Sequence, residues 1–286
     1  MSDSAMRAEP ADAACYDSGG SAPVLLLLHG LCGTWHIWKP VLKLLESRHR
    51  VIALTLPGHQ GGPDYAAEGD ATVAGIAEQL IALLQARGIR QAHVAGNSLG
   101  GWLSLELARR GFALSVVALS PAGGWTTAAD YRAVARPFRI IYALMPLILF
   151  LLGPFLGFAG LRRFLGRSTM EHADRVPTSE FRDSLRALAN TRLLPGLLRA
   201  MGLHGPIAPM EAKVPIRIAW SERDAVIPFD RYGQPMLARI SGAGSTMVSG
   251  AGHVPMYDNP QQVAEQILQI SCAPQFESPA GAGMAA

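Results

Sequence analysis

The stretch His93-Val94-Ala95-Gly96-Asn97-Ser98-Leu99-Gly100-Gly101 passes from a short apolar run into an amphipathic pattern that continues to Arg110. The change of period, from 2 to 3.6, reads as a strand running directly into a helix. A serine at such a junction sits on a tight turn with its hydroxyl thrust out of the backbone. The glycines on either side fit because a side chain there would collide with the neighbouring strand and helix. The G-x-S-x-G pattern alone is weak. With 30 glycines among 286 residues, chance supplies roughly 0.2 such matches. What surrounds the pattern decides how it is read.

Apolar β-type runs alternate with helical patterns on both sides of it. The strand candidates are Val24-Leu28, Val51-Leu54, His93-Gly96, Val116-Leu119, Ile216-Trp220 and Ser245-Val248. Helical patterns lie near Trp38-Glu46, Val73-Arg87, Leu99-Arg110, Asp230-Ile240 and Pro260-Ile270, the last with Asp258 or Asn259 as N-cap and Pro260 at its first position. Several strands are apolar throughout, as strands buried on both faces are. This predicts an α/β fold: a doubly wound, mostly parallel sheet flanked by helices. Between about Ala122 and Pro209 the alternation fails and no strand is evident. That stretch reads as a helical lid inserted into the sheet domain. The expected organisation is a core of 1–121 and 210–272, a lid of 122–209, and a disordered Pro/Gly/Ala-rich tail over 273–286.

Composition narrows the class. Half the chain is apolar (49%) and the charged fraction is only 16%, so a large core is within reach. The net charge of +3 is too small and too scattered for a nucleic-acid partner. Cys15, Cys32 and Cys272 lack disulfide or metal-ligand spacing, which fits reduced thiols in a cytoplasmic protein with no metal. The first 23 residues are polar and acidic, without the basic and apolar regions of a secretory signal.

Ile140 to Gly160 carries no charge and is long enough to cross a bilayer. Pro146, Gly153, Pro154, Gly157 and Gly160 are expected to break it into short lid helices around a cavity. Arginines flank both ends and give no orientation signal. Peripheral membrane contact through 140–160 is retained as an expectation, as is a monomer or homodimer.

A serine hydroxyl needs a histidine to take its proton and a carboxylate to orient that histidine. Ile216-Trp220 is followed by Ser221-Glu222-Arg223-Asp224, and Ser245-Val248 by Gly250-Ala251-Gly252-His253. In a parallel sheet these loops emerge on the edge that bears Ser98. Glu222 and Asp230 are further acids close to Asp224.

The order Ser98, Asp224, His253, with Leu28-His29-Gly30, Leu56-Pro57-Gly58-His59 and Val226-Ile227-Pro228, resembles the α/β-hydrolase superfamily from about Val24 to Ile270. The resemblance implies Asp224 as the acid, by its register before Val226-Ile227-Pro228. It also implies an oxyanion hole from the backbone N–H groups of Leu31 and Leu99, with His29 and His59 pinning the loops around it. Candidate pocket residues are Cys32, Trp35, His36, Trp125, Met145 and Val254. The family has two antiparallel strands ahead of the His-Gly strand. Here Ala14 to Ser18 reads as one short strand and the first edge strand as reduced or missing.

The activity this implies is hydrolysis of a hydrophobic small-molecule ester, without a cofactor. Serine at position 98 departs from the relatives that need aspartate there, the haloalkane dehalogenases and epoxide hydrolases. Carbon-carbon bond hydrolases share the Gly-Asn-Ser-x-Gly-Gly elbow, and cofactor-free haloperoxidase-like members share the triad. Of a different class is a non-catalytic protein that binds a hydrophobic ligand.

Overall fold

The computed structural model describes residues 14–66 and 71–273. The expected tail, beyond Ala273, and the polar start, before Ala14, lie outside the described residues.

Nine strands are described: β1 (Cys15–Asp17), β2 (Val24–Leu28), β3 (Arg50–Leu54), β4 (Ala92–Asn97), β5 (Ala113–Leu119), β6 (Met210–Glu211), β7 (Ile216–Ser221), β8 (Ile240–Ser241) and β9 (Gly244–Val248). The helices are α1 (Lys39–Leu45), α2 (Val73–Ala86), α3 (Leu99–Arg109), α4 (Ala128–Leu152), α5 (Ala159–Gly166), α6 (Thr178–Asn190), α7 (Leu194–His204), α8 (Gln234–Arg239), α9 (Pro255–Asp258) and α10 (Pro260–Ser271). Seven strands form one sheet in the order β1-β3-β2-β4-β5-β7-β9. Only β1 runs antiparallel, pairing Cys15 with Leu54 and Asp17 with Ile52. It is the single antiparallel edge strand read at Ala14 to Ser18.

The apolar strands explain the layering. Successive side chains alternate between faces. In β2, Leu26 and Leu28 join a core with α2 and α3, while Leu25 and Leu27 join a second core with α1 and α10. All four leucines are buried, each stabilising the fold by about 2 kcal/mol. Helices therefore cover both faces. Asn259 takes the N-cap of α10, its side chain accepting the Gln262 N–H at 3.3 Å.

The helical stretch α4–α7 lies between β5 and β7. Here one expectation is corrected. Pro146 does not break the apolar run: α4 is a continuous helix from Ala128 to Leu152 that contains both Pro137 and Pro146. An interior proline costs a helix about 3 kcal/mol. Two features offset this. Thr127 and Asp130 form a capping box, Thr127 Oγ1 accepting the Asp130 N–H at 3.1 Å and Asp130 Oδ2 the Thr127 N–H at 3.0 Å. Ala135 and Met145 are also buried, on the stripe that faces the body. The break comes at Gly153-Pro154, where a 3-10 turn (Gly153–Phe155) follows.

Candidate active site

Ser98 lies between β4 and α3 with φ 56° and ψ −113°, a conformation that side chains rarely adopt. The elbow glycines are a steric requirement. A Cβ on Gly96 would lie 2.1 Å from the Gly100 carbonyl oxygen, and one on Gly100 2.1 Å from that of Leu28. Gly30 brings its backbone against Ser98, an added Cβ there being 3.2 Å from the serine Cβ.

Asp224 and His253 come from the loops after β7 and β9. Both are buried, and His253 Nδ1 lies 2.7 Å from Asp224 Oδ2. The other oxygen, Oδ1, accepts the N–H groups of Val226 at 2.9 Å and Ile227 at 2.8 Å. Glu222 instead accepts the Gly250 N–H at 2.7 Å, and Asp230 is exposed. The geometry therefore singles out Asp224. Among the described residues no hydrogen bond joins the Ser98 hydroxyl to His253; such contacts often tighten only with substrate bound. Ser98 and the His253 loop are linked through Asn97, whose Nδ2 donates to the His253 carbonyl at 2.8 Å.

The His253 loop is also tied to the helical stretch. Val254 N–H donates to Thr169 O at 2.8 Å. Asp258 accepts the N–H groups of Gly252, Glu171 and His172 at 2.9, 3.0 and 2.9 Å. Of the two N-cap candidates, Asn259 caps α10, and Asp258 instead joins these segments, a role that only the folded arrangement shows.

Ser98, Leu31 and Leu99 line one narrow apolar cavity of about 30 Å³. Leu99 is the first residue of α3, where backbone N–H groups have no intrahelical partner and the helix dipole favours negative charge. Leu31 follows a firmly held loop. Leu56 N–H donates to His29 Nε2 at 2.9 Å, which leaves Nδ1 to donate to the Gly30 carbonyl at 2.7 Å. Burial, first, and then the neighbouring His59 hold the His29 pKa well below its ordinary value.

Of the expected pocket residues, Trp125 lines the cavity. Cys32, Trp35, His36, Met145 and Val254 do not, and the reasons differ. The Cys32 thiol is buried and pushed up to about 12, so it is a neutral, packed group. Trp35 belongs to the core on the opposite face of the sheet and stacks on His36 at 4.0 Å. Met145 is buried on α4 two turns past Phe138, and Val254 packs with the second core. The cavity wall comes instead from Tyr131, Val134 and Phe138 of α4, Leu198 and Met201 of α7, and Tyr232. The 131/134/138 spacing, one helical face, was the signal available for three of them. Among the described residues, no three His, Cys, Asp or Glu side chains converge as metal ligands would.

Residues 25–266 match the Alpha/beta hydrolase family. The chain belongs to that family. A relative named epoxide hydrolase EphH, from Mycobacterium tuberculosis, is 30% identical over 207 residues, covering 70% of this chain and 95% of that protein. Among solved structures, a membrane phospholipase A described as a bacterial virulence factor superposes with a TM-score of 0.71 at 22% identity, over 91% of this chain and 83% of that one. The 2-hydroxy-6-oxo-6-phenylhexa-2,4-dienoate hydrolase of Rhodococcus sp. strain RHA1 superposes with a TM-score of 0.70 at 19% identity, over 91% and 94%. At these identities the two structures speak for the fold. With family and fold in place, the chain is a hydrolase-family enzyme whose bond specificity rests on its own residues.

Proposed function

We propose that this α/β-hydrolase cleaves a carboxylic ester, or a related acyl bond, of a hydrophobic small molecule through an acyl-enzyme on Ser98. The observation that carries this reading is the 2.7 Å contact between His253 Nδ1 and Asp224 Oδ2, in a loop that Asn97 fastens beside Ser98. Asp224, with its second oxygen occupied by two backbone N–H groups, keeps the imidazole proton on Nδ1 and leaves Nε2 free to accept. Ser98 Oγ attacks the carbonyl carbon as its proton passes to His253. The carbonyl oxygen becomes an oxyanion, which the N–H groups of Leu31 and Leu99 receive; each such donor contributes on the order of 3 kcal/mol to the transition state. The protonated His253 then gives its proton to the leaving alcohol. A water, deprotonated by the same histidine, cleaves the acyl-enzyme and frees the acid. The reading calls for no metal or cofactor.

The apolar wall favours a hydrophobic acyl or alcohol part. At about 30 Å³ the cavity holds little more than a water molecule. The helical stretch would therefore act as a lid that shifts to admit substrate.

The EphH relative favours epoxide opening as a second reading. Nucleophile chemistry argues against it. A carboxylate that opens an epoxide leaves an ester, which water can cleave; a serine would leave an ether, which it cannot.

A fluorophosphonate probe and a panel of esters of varied acyl length, with epoxides alongside, test both readings on the protein and its Ser98→Ala variant. Labelling at Ser98 and ester turnover lost in the variant are expected. Failure of Ser98 to label in folded protein, or equal turnover by the variant, would overturn the proposal.

A further inference from the structure

Helix α4 is apolar on two opposite faces. Tyr131, Ala135, Phe138, Tyr142 and Met145 follow one another three or four residues apart, and all are wholly or partly buried against the body. At 3.6 residues per turn, the opposite stripe is Arg132, Arg136, Ile140, Leu144, Leu147 and Leu151. Every residue of that stripe is exposed, Leu147 at 54%, and Phe150 beside it at 79%. The helix is long and apolar enough to cross a bilayer, yet only 6% of its most apolar window is buried. A core helix would be covered. Beyond the helix the exposed apolar surface continues through Phe155, 53% exposed, and Phe158, 69% exposed. Monomeric proteins rarely leave a contiguous apolar surface of this kind in water.

The charge pattern indicates what covers it. From Tyr131 to Met170 there is no Asp or Glu, while Arg132, Arg136, Arg139, Arg163 and Arg167 are exposed. Along the outer stripe of α4 two cationic turns precede the apolar ones, so charge and hydrocarbon are segregated lengthwise. A second copy of the chain, related by a two-fold axis, would either bring these arginines together or, with the helices antiparallel, lay them on the partner's leucines. In neither case does the outer stripe of α4 offer them an acid to pair with. An anionic bilayer matches both parts, phosphates meeting the arginines and acyl chains the leucines and phenylalanines.

We propose that the outer face of α4 and the turn after it form a docking surface for an anionic lipid bilayer. The apolar half of the stripe enters the acyl boundary, while Arg132, Arg136 and Arg139 stay at headgroup level. The helix lies in the interface and does not cross it, because its inner stripe is engaged: Tyr131 OH donates to the Leu198 carbonyl, and Phe138 packs on the core. The same helix thus has its inner face on the Ser98 cavity and its outer face on lipid.

The surface is tested by vesicle flotation, a readout independent of any hydrolysis. Vesicles of phosphatidylcholine alone are compared with vesicles containing one-third phosphatidylglycerol. The full chain is expected to float with the anionic vesicles. Leu147→Glu with Phe150→Glu should abolish this, and the milder Leu147→Ser with Phe150→Ser should weaken it, with thermal melts reporting that both fold. Replacing Arg132, Arg136 and Arg139 by Gln should weaken binding to anionic vesicles by about a hundredfold and remove the preference for them. Wild-type protein that stays unbound to both vesicle types would overturn the proposal, as would glutamate variants that float like wild type. A lipid-free dimer, by size-exclusion chromatography with light scattering, that these substitutions split into monomers would overturn it in favour of a contact between copies.

Discussion

Asn97, the residue before the elbow serine, donates its side-chain amide to the main-chain carbonyl of His253 at 2.8 Å. Its Nδ2 also reaches the Leu119 carbonyl at 3.3 Å, so one buried amide joins the ends of β4 and β5 to the histidine loop. Asn97→Ala takes this donor from the His253 carbonyl, while the Leu119 carbonyl keeps the Ser98 N–H at 2.9 Å, and frees the loop to drift. Misplacement by about 1 Å can cost a hundredfold in rate. The expected outcome is a fall in kcat of about that size with KM little changed, paralleled by slower fluorophosphonate labelling of Ser98. Steady-state kinetics and labelling rates check it; a wild-type labelling rate would confine Asn97 to packing.

The sheet was legible because its signals are local. The leucines of β2 and the glycines around Ser98 carry a period or a steric demand that no distant contact modifies. The loops bearing Asp224 and His253 follow from strand order in a parallel sheet. The wall of the cavity was not legible. Cys32, Trp35 and His36 lie next to the Leu31 loop in sequence, but Trp35 turns to the core on the other side of the sheet and His36 stacks on it. Tyr131, Val134 and Phe138, far away in sequence, point inward only because α4 packs along that stripe. Pro146 misled for a similar reason. A local helix-breaking rule was outweighed by a capping box and a buried stripe.

Asp224 is the next point of leverage. Its Oδ1 is held by the N–H groups of Val226 and Ile227, so in Asp224→Asn the amide oxygen will occupy that place and the NH₂ will face His253 Nδ1. The imidazole must then accept at Nδ1 and carry its proton on Nε2, where it cannot take the serine proton. A drop in kcat of about 10⁴ is expected, with thermal stability near wild type. Burst kinetics with a chromogenic ester check it.

Gly100 and Gly160 should respond oppositely to alanine. A Cβ on Gly100 meets two backbone oxygens, Leu28 O at 2.1 Å and His29 O at 2.7 Å, and Leu28 cannot move without disturbing the end of β2 in the sheet. Gly100→Ala is expected to yield no soluble folded protein. Gly160, in α5, has nothing within 4 Å and helical backbone, so Gly160→Ala should stabilise by roughly 1 kcal/mol. Thermal melts of the two variants check this directly.

Acid should destabilise the fold through His59. Burial, partly offset by hydrogen bonds to the Pro57 and Leu56 backbone, lowers its pKa from 6.5 to about 4. Its Nε2 is buried with no hydrogen-bond partner among the described residues, leaving a proton there unsatisfied. Unfolded chains bind the proton near pH 6.5 and the folded chain only near 4, so the unfolded state carries more protons between. Stability is therefore fully present above pH 6.5 and falls as pH drops towards 4, by about 3 kcal/mol for this group. His29, shifted the same way, adds to the loss. Urea midpoints at pH 7, 5.5 and 4.5 should decline in that order, and less steeply in His59→Leu.

Phe138 sets the depth of the cavity from above. It stands on the inner stripe of α4, two turns from Tyr131, and lines with Leu198 and Met201 the same space that Ser98 lines. Phe138→Ala removes a ring from this wall without touching Ser98, Asp224 or His253. Truncating a packed phenylalanine costs about 3 to 5 kcal/mol when fully buried, and less here because the side chain is only partly buried. The space gained should be filled by substrate. For esters of increasing acyl length, kcat/KM is expected to peak at a longer chain in Phe138→Ala than in wild type. Each methylene that enters the pocket contributes about 0.8 kcal/mol, close to fourfold in kcat/KM. A length profile unchanged in Phe138→Ala would overturn this placement of the acyl group against Phe138.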